Sequence, residues 1–293
     1  MQAADAYVFS RPAYCWEGLD RERVAIIPPC IDAFAPKNQP MTPPTVSAIL
    51  QAAGILEGRK GDLPAPVFRH LDGSSGRVVG RAEMIQDEPI PADAPIVLQV
   101  SRWDPLKDPL GVLQGFIRHV PDRLGAHLVL AGPAATSVSD DPESEQVLQE
   151  VRRAAAALPT TARARLHLVC LPMDDLEENG AMVNALQRRA DVIVQKSLAE
   201  GFGLTVAEAM WKARPVLASR VGGIQDQITH DRSGLLLDDP SDLDAFGRTT
   251  ATLLEDHERA ARLGQEAHRR VRQDYLAPRR LTQELDLILR LTA

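Results

Sequence analysis

The sequence predicts an α/β fold built on a doubly wound, mainly parallel sheet of Rossmann-like type. Two observations predict it. From residue 96 onward, short runs rich in Val, Ile and Leu alternate with helical patterns. These runs are not alternately polar, as expected for strands buried on both faces of a parallel sheet. Alternating strands and helices favour right-handed βαβ units, which assemble into such a sheet.

Six apolar runs are the predicted strands of this sheet. In chain order they are IVLQVS (96–101), HLVLAG (127–132), LHLVCL (166–171), DVIVQ (191–195), PVLAS (215–219) and GLLL (234–237). A predicted helix follows each strand. These helices start near Pro109 and Ser241 or lie within PESEQVLQEVRRAAAAL, NGAMVNALQRRA, LTVAEAMWKA and GIQDQIT.

The two ends of the chain depart from this pattern. RVAIIPPCID (23–32) predicts a strand that runs into a proline turn. The stretch from Gly54 to Pro95, rich in Gly, Pro and charge, predicts an elaborated loop or partly ordered insertion. The predicted organisation is an N-terminal segment and linker (1–45), a helix with the insertion (46–95), the Rossmann-like domain (96–274) and a C-terminal helix (275–293), broken near Pro278.

Composition narrows the classes of partner. The formal net charge of -7 and an aromatic content of 4% argue against a nucleic-acid partner. A small phosphorylated ligand remains compatible, because a few local cations suffice for it. No apolar run approaches the length of about 20 residues that a membrane span needs. The three cysteines form no CxxC pair, which indicates buried thiols in a reducing compartment. We therefore expect a cytoplasmic protein. As a partner we also consider a second copy of the chain, in a homodimer.

Two cations follow the first strand of the sheet. In a doubly wound sheet, ligands bind at the carboxyl ends of the strands. RWDPLKDP places Arg102 and Lys107 in that loop, and Asp108-Pro109 is typical of an N-cap followed by proline at the first helical position. Cations beside a helix N-terminus predict an anion site. The alternative is a pair of solvated surface charges.

Two carboxylates flank a glycine turn after the fourth strand. KSLAEGFGLTVAEAM places Glu200 in the loop and Glu208 about one turn inside the following helix. The glycines allow close backbone approach to a ligand, and the helix N-terminus favours phosphate. Glu258 and Glu266 have the same spacing without a glycine turn or a preceding strand, which predicts an ordinary charged helix face.

Other motifs exclude some alternatives. The chain has neither GxxxxGK[ST] nor GxGxxG, so an ATPase or NAD enzyme would lack its phosphate loop. DLD (242–244) lies at a predicted helix start, where acids suit the helix dipole, and its interpretation as a metal site is not favoured. VGGIQDQI (221–228) fits either a close approach to the ligand or a tight turn.

The motifs around these charges resemble those of retaining GT-B glycosyltransferases of family 4. The resemblance is carried by SRWDPLKD and by the E-x7-E of EGFGLTVAEAM. A longer resemblance, outside 54–95, is to the trehalose synthase (glycosyltransferring) and trehalose phosphorylase branch. It runs through RVAIIPPCIDAFAPKN, PMDDLEENGAMVNALQRRADVIVQKSLAEGFGLTVAEAMWKARPVLASRVGGIQDQI and GLLLDDPSDL. It implies the C-terminal donor domain of a GT-B fold, with the N-terminal domain largely missing.

The resemblance also implies a role for each motif residue. Arg102 and Lys107 would neutralise a donor diphosphate or a phosphate, and Glu200 would contact the transferred sugar, as the catalytic group. Glu208 would accept hydrogen bonds from ribose hydroxyls. The other expected donor-binding residues are Ser101, Gly201, Phe202, Gly203, Leu204 and Thr205. No metal and no cofactor is implied, because the nucleotide sugar is itself a substrate.

The expected activity is transfer of glucose from a nucleotide-diphospho-glucose to a sugar acceptor, with retention of the anomeric configuration. Trehalose is the favoured product. Glucose is the suspected acceptor. The motifs do not separate this reaction from phosphorolysis of trehalose, in which inorganic phosphate would occupy the cationic site. A third interpretation is a nucleotide-binding donor domain that performs no catalysis of its own.

Overall fold

The computed structural model describes residues 4–58, 63–134 and 142–292. Its N-terminal part holds a two-stranded parallel sheet, a helix, a hairpin and a short strand. In chain order these are β1 (Tyr7–Phe9), β2 (Val24–Ile26), α1 (Pro43–Ala52), β3 (Val67–Arg69), β4 (Ser75–Arg77) and β5 (Glu83–Ile85). Strands β3 and β4 form the hairpin.

The remaining elements alternate between strands and helices. They are β6 (Ile96–Val100), α2 (Pro109–His119), β7 (His127–Pro133), α3 (Pro142–Ala156), α4 (Thr160–Arg163), β8 (Leu166–Leu171), α5 (Leu176–Arg189), β9 (Val192–Gln195), α6 (Leu204–Trp211), β10 (Val216–Ser219), α7 (Ile224–Gln227), β11 (Leu235–Leu237), α8 (Leu243–Glu255), α9 (His257–Asp274) and α10 (Ala277–Thr292). All six predicted strands are present. Pro278 is the second residue of α10, so the interruption lies just before it, between the end of α9 at Asp274 and the start of α10 at Ala277.

One seven-stranded sheet organises the molecule, in the order β11-β10-β9-β6-β7-β8-β5. Strands β6 to β11 are parallel to one another. Counted from β6, their order is 3-2-1-4-5-6, the arrangement of a Rossmann fold. The predicted doubly wound fold is therefore confirmed.

The seventh strand corrects one expectation. Strand β5 lies within the stretch predicted as an elaborated loop or partly ordered insertion, yet it pairs antiparallel with β8 at the edge of the main sheet. It has only three residues, and Glu83 is exposed, so it lacks the apolar run by which buried strands are recognised. An edge strand has one partner and needs no such run.

Both faces of the sheet are covered, which explains the continuous apolar runs. Alternate side chains point to opposite faces: Leu98 packs in a core with residues of α1, α5 and α6, whereas Val97 packs in a core with α2, α3 and α8. Both side chains are fully buried. Among the described helices, none is long and apolar enough to cross a membrane.

Helices α2 and α8 approach closely because each presents a glycine at the contact. A Cβ atom built on Gly115 would lie 2.6 Å from Cδ1 of Phe246, and one on Gly247 would overlap the side chain of His119. Phe246 is fully buried at this crossing. The outer helix layer on this face therefore depends on two residues without side chains.

We expect Gly247→Ala to destabilise the protein. Alanine favours helix by about 1 kcal/mol over glycine, but overpacking of the α2–α8 contact costs roughly 1–3 kcal/mol and should outweigh it. Urea unfolding measures the difference. Gly58→Ala is the control, because nothing lies within 4 Å of a Cβ at that position. A Gly247→Ala variant as stable as the control would contradict this account of the contact.

Candidate functional site

Strands β6 and β9 lie side by side at the centre of the sheet, where the strand order reverses. Val97 of β6 pairs with Val192 of β9. The loops that follow these strands, 101–108 and 196–203, therefore leave the same edge of the sheet together. The amide of Leu198 donates to the carbonyl of Leu106 at 2.8 Å and joins the two loops. In open α/β sheets this reversal point is where ligands bind.

The loop after β6 is held by a buried tryptophan. Trp103 is 2% exposed, and its Nε1–H donates to the carbonyl of Pro133 at the end of β7. Asp104 caps a short 3-10 helix (Pro105–Lys107) by accepting from the Leu106 amide, and it also pairs with Arg102 at 3.0 Å. Arg102 is mostly exposed, so its guanidinium lies at the surface of the site.

A buried ion pair fixes the start of α2. The side chain of Lys196 is fully buried and pairs with Asp108 Oδ2. Asp108 has φ of 48°, a left-handed conformation that costs free energy in a residue other than glycine. Its other oxygen accepts from the Gly111 amide at 2.9 Å, which confirms the predicted N-cap. Lys196 pairs with this cap, a contact that the sequence did not reveal.

Lys107 and Glu200 meet between the two loops. Lys107 Nζ donates to Glu200 Oε2 at 2.5 Å, and the amide of Gly201 donates to Oε1 at 3.1 Å. The two side chains are 16% and 12% exposed. The structure thus brings together the predicted cation of one loop and the predicted acid of the other. Their opposite charges offset each other.

The Glu200 turn is fixed from two further elements. The hydroxyl of Tyr14 donates to the carbonyl of Gly201 at 2.7 Å and approaches that of Glu200 at 3.2 Å. The amide of Gly223 donates to the Gly201 carbonyl at 2.9 Å, and a Cβ on Gly222 would overlap the Glu200 carbonyl. The paired glycines of VGGIQDQI therefore allow close packing of one turn on another.

The N-terminus of α6 faces this turn. Gly203, with φ of 84°, is the N-cap residue and has no side chain with which to cap the helix. Gly203 therefore gives no side-chain hydrogen bond to the first amides of α6, including those of Leu204 and Thr205. Uncapped amides and the helix dipole together favour a bound anion.

Three predicted donor-binding side chains have partners within the protein. Phe202 packs against Tyr275 with ring centroids 5.8 Å apart, and its carbonyl accepts from Gln227 Nε2. The hydroxyl of Thr205 donates to Gln195 Oε1 at 3.2 Å. The hydroxyl of Ser101, the third of these residues, accepts from Gln99 Nε2 at 3.2 Å. Phe202 and Thr205 therefore offer a ligand chiefly their backbone groups.

Glu208 lies on α6 as a nearly buried carboxylate. Its side chain is 8% exposed, and Lys37 Nζ lies 3.0 Å from its Oε2. That oxygen accepts no aligned hydrogen bond from the described residues. One turn further along α6, Lys212 donates to the Glu208 carbonyl and to Asn38 Oδ1, each at 3.1 Å. Lys37 and Asn38 lie in a segment to which the sequence assigned no site role.

Burial lowers the pKa of Lys212 to about 7, although the Glu208 carboxylate acts to raise it. Burial disfavours the ammonium, because the charge loses its hydration. The remaining cations around it, Lys37 and Arg188, act in the same direction as burial. Lys212 therefore loses its proton far more readily in the folded protein than in the unfolded chain.

The arrangement places positive potential between two acids, a combination that favours a bound anion. Lys107 and the α6 N-terminus supply positive potential, and Glu200 and Glu208 supply hydrogen-bond acceptors on either side of the Gly-Phe-Gly turn. Among the described residues no group of three or more His, Cys, Asp or Glu side chains is placed to hold a metal ion. DLD (242–244) lies at a helix start as predicted, because Asp242 caps α8 by accepting from the Ala245 amide.

Comparison with known proteins identifies the family. The family model for glycosyl transferases group 1 matches residues 80–270. The chain is 35% identical over 289 residues to a trehalose synthase from Rubrobacter xylanophilus, covering 98% of this chain and 57% of that protein. It is 28% identical to a trehalose phosphorylase from Grifola frondosa, covering 84% of this chain and 32% of that protein.

A solved structure shares the fold. Anabaena HepE, crystallised in complex with UDP, superimposes with a TM-score of 0.63 at 18% identity, covering 94% of this chain and 59% of that one. The chain belongs to the glycosyl transferases group 1 family. The predicted resemblance to the trehalose synthase and trehalose phosphorylase branch is confirmed. The chain spans about 57% of the length of the trehalose synthase that it matches.

We expect Lys212 to give stability a specific pH dependence. Its folded pKa is about 7, whereas an unfolded lysine titrates near 10.5. Between these values the unfolded chain binds a proton that the folded chain has lost, so stability rises with pH. Below about pH 7 both states are protonated and this contribution to the slope disappears.

Urea unfolding between pH 7.5 and 9.5 tests this expectation. The free energy of unfolding should rise more steeply with pH in the wild type than in Lys212→Met, by up to about 1.4 kcal/mol per pH unit. The substitution also removes two hydrogen bonds, so the slope, not the absolute stability, is the informative quantity. Equal slopes in the two proteins would show that Lys212 keeps an ordinary pKa when folded.

Proposed function

We propose that the chain provides the donor site of a retaining glucosyltransferase that forms trehalose from a nucleotide-diphospho-glucose and glucose. The observation that carries the proposal is the Lys107–Glu200 pair beside the uncapped N-terminus of α6, at the reversal point of the sheet. Similarity to a trehalose synthase over 98% of the chain supports the choice of sugars. HepE, solved with UDP, makes UDP the first nucleotide to test.

In this proposal the donor diphosphate lies against the first amides of α6. Lys107, held by Glu200, donates to the phosphate from its remaining N–H groups, and Arg102 at the rim contributes a second cation. Negative charge grows on the leaving oxygen as the glycosidic bond breaks. Fixed cations and amides aimed at that charge lower the barrier, and removal of one such contact typically costs about 3–4 kcal/mol.

The two acids contact different parts of the donor. Glu200, in the turn, accepts hydrogen bonds from hydroxyls of the transferred glucose. Glu208, inside α6, accepts from the ribose hydroxyls. The diphosphate lies between them, over the Gly-Phe-Gly turn. In this proposal the two acids, eight residues apart in the sequence, contact the two ends of the sugar–diphosphate–ribose unit.

Transfer is proposed to retain the anomeric configuration. The bond between the sugar C1 and the diphosphate oxygen breaks, and an acceptor hydroxyl forms a new bond to C1 on the same face. The acceptor proton passes to the leaving phosphate oxygen. Glu200 is not assigned as a covalent nucleophile, because Lys107 and the Gly201 amide already occupy its two oxygens.

Phosphorolysis of trehalose is the second candidate, and the similarity to the Grifola frondosa trehalose phosphorylase favours it. In that reaction inorganic phosphate occupies the site of Lys107 and the α6 amides and attacks C1 of trehalose. The products are glucose and glucose 1-phosphate. The same cationic site therefore serves either reaction.

Product analysis separates these reactions. We expect the chain to form trehalose from UDP-glucose or ADP-glucose plus glucose. Glucose 1-phosphate from trehalose plus phosphate would instead support the phosphorylase. Binding of UDP or ADP without turnover of either kind would match a donor-binding chain with no catalysis of its own. Failure to bind either nucleotide would overturn the proposed site.

We expect the two acids to respond differently to substitution. Glu208→Gln should weaken UDP binding about 10- to 150-fold, the equivalent of losing hydrogen bonds to a charged acceptor. Glu200→Gln should mainly lower the rate of sugar transfer. Arg102→Ala and Lys107→Ala should weaken binding of UDP far more than binding of uridine, because only the diphosphate meets the cations.

Calorimetric titration of each variant measures these effects. Glu258→Gln is the matched control, since Glu258 has the same spacing to Glu266 but lies exposed on α9. It should bind UDP like the wild type. If Glu258→Gln and Glu208→Gln weakened binding equally, or neither did, the distinction between the two acid pairs would be wrong.

A further inference from the structure

Residues 35–39 form a segment docked against α5 and α6; we call it the docked segment. Asn184 of α5 donates from Nδ2 to the carbonyls of Pro36 and Gln39, each at 2.9 Å. Trp211 of α6 donates to the carbonyl of Asn38 at 3.1 Å. These bonds fix the backbone on both sides of Lys37.

The α5 surface is shaped to receive this segment. A Cβ on Gly180 would lie 3.3 Å from the backbone nitrogen of Lys37, so glycine permits the close approach. Arg188 lies one turn after Asn184 on α5 and donates to the Gln39 carbonyl at 3.0 Å. Hydrogen bonds and close packing against α5 therefore fix the backbone of Lys37, whereas the backbone of a lysine in an exposed loop would lack such contacts.

Lys37 lies beside the carboxylate assigned to the ribose. Its Nζ is 3.0 Å from Glu208 Oε2, a buried oxygen that accepts no aligned hydrogen bond from the described residues. Burial of a carboxylate charge is costly unless an opposite charge compensates it. The side chain of Lys37 is 37% exposed and that of Glu208 is 8% exposed, so the lysine compensates the acid from the solvent side.

We propose that Lys37 is a positioning residue for nucleotide binding, acting through Glu208. Its ammonium lies against the buried oxygen and holds the carboxylate in its orientation, which leaves the other oxygen for the ribose hydroxyls. This inference rests on the proposed function, because it takes Glu208 as the ribose acceptor. It extends the donor site beyond the Rossmann-like domain to the segment before α1.

Titration of UDP into the full chain tests this role. Lys37→Met should weaken UDP binding about 5- to 20-fold, whereas Lys37→Arg should retain most of the affinity because it keeps the charge. Adding Lys37→Met to Glu208→Gln should cost little more than Glu208→Gln alone. Arg269→Gln, which removes an exposed ion pair with Glu266 on α9, should bind UDP like the wild type.

A second ligand separates positioning from general damage. UDP that lacks the 2′ and 3′ hydroxyls should bind wild type and Lys37→Met equally, because Glu208 then has no hydroxyl to accept. Equal weakening of UDP and of the dideoxy analogue would show a structural role and overturn the proposal. Tighter UDP binding by Lys37→Met would overturn it too, since Lys37 would then block the site.

Failure of the proposed function gives a different result. If the wild type bound neither UDP nor ADP, the donor site and the role of Lys37 would both fall. If the wild type bound UDP and Lys37→Met bound it equally well, only the role of Lys37 would be wrong.

Discussion

The pairing of β6 with β9 is the constraint on which the site depends. These strands are distant in sequence and adjacent in the sheet, so the chain must wind outward in both directions from between them. That winding leaves a crevice at the carboxyl edge, into which both loops project. Lys107 and Glu200 meet there because each lies a few residues beyond the end of its strand. Helices on both faces bury this central pair of strands.

Charge at the site is balanced by partners drawn from separate elements. Lys196 is compensated by Asp108, Lys107 by Glu200, and Glu208 by Lys37. Pairs of this kind add little net stability, since desolvation offsets much of the attraction. What they provide is fixed geometry: each charge is held in place before a ligand arrives. A preorganised site avoids reorganisation when charge develops during reaction.

Much of this arrangement follows from local patterns in the sequence. The six apolar runs locate the six parallel strands, and Asp108-Pro109 marks the start of α2, because strand burial and helix capping depend on neighbouring residues. Strand β5 was not predicted from the sequence, because a three-residue strand at a sheet edge needs no apolar run. The hydrogen bond from Tyr14 to Glu200 joins residues 186 positions apart. No local pattern encodes such a contact, and the same is true of Lys37 with Glu208.

The left-handed Asp108 has a consequence for how this protein can change over generations. Its carboxylate pairs with a fully buried lysine and caps α2, and a Cβ on Gly111 would overlap that carboxylate. Replacement of Asp108 alone leaves the fully buried charge of Lys196 uncompensated, which typically costs about 3–5 kcal/mol. That is a large share of the stability of an ordinary domain. Asp108, Gly111 and Lys196 should therefore change together during evolution. A homologue that lacks one of these residues should also differ at the other two.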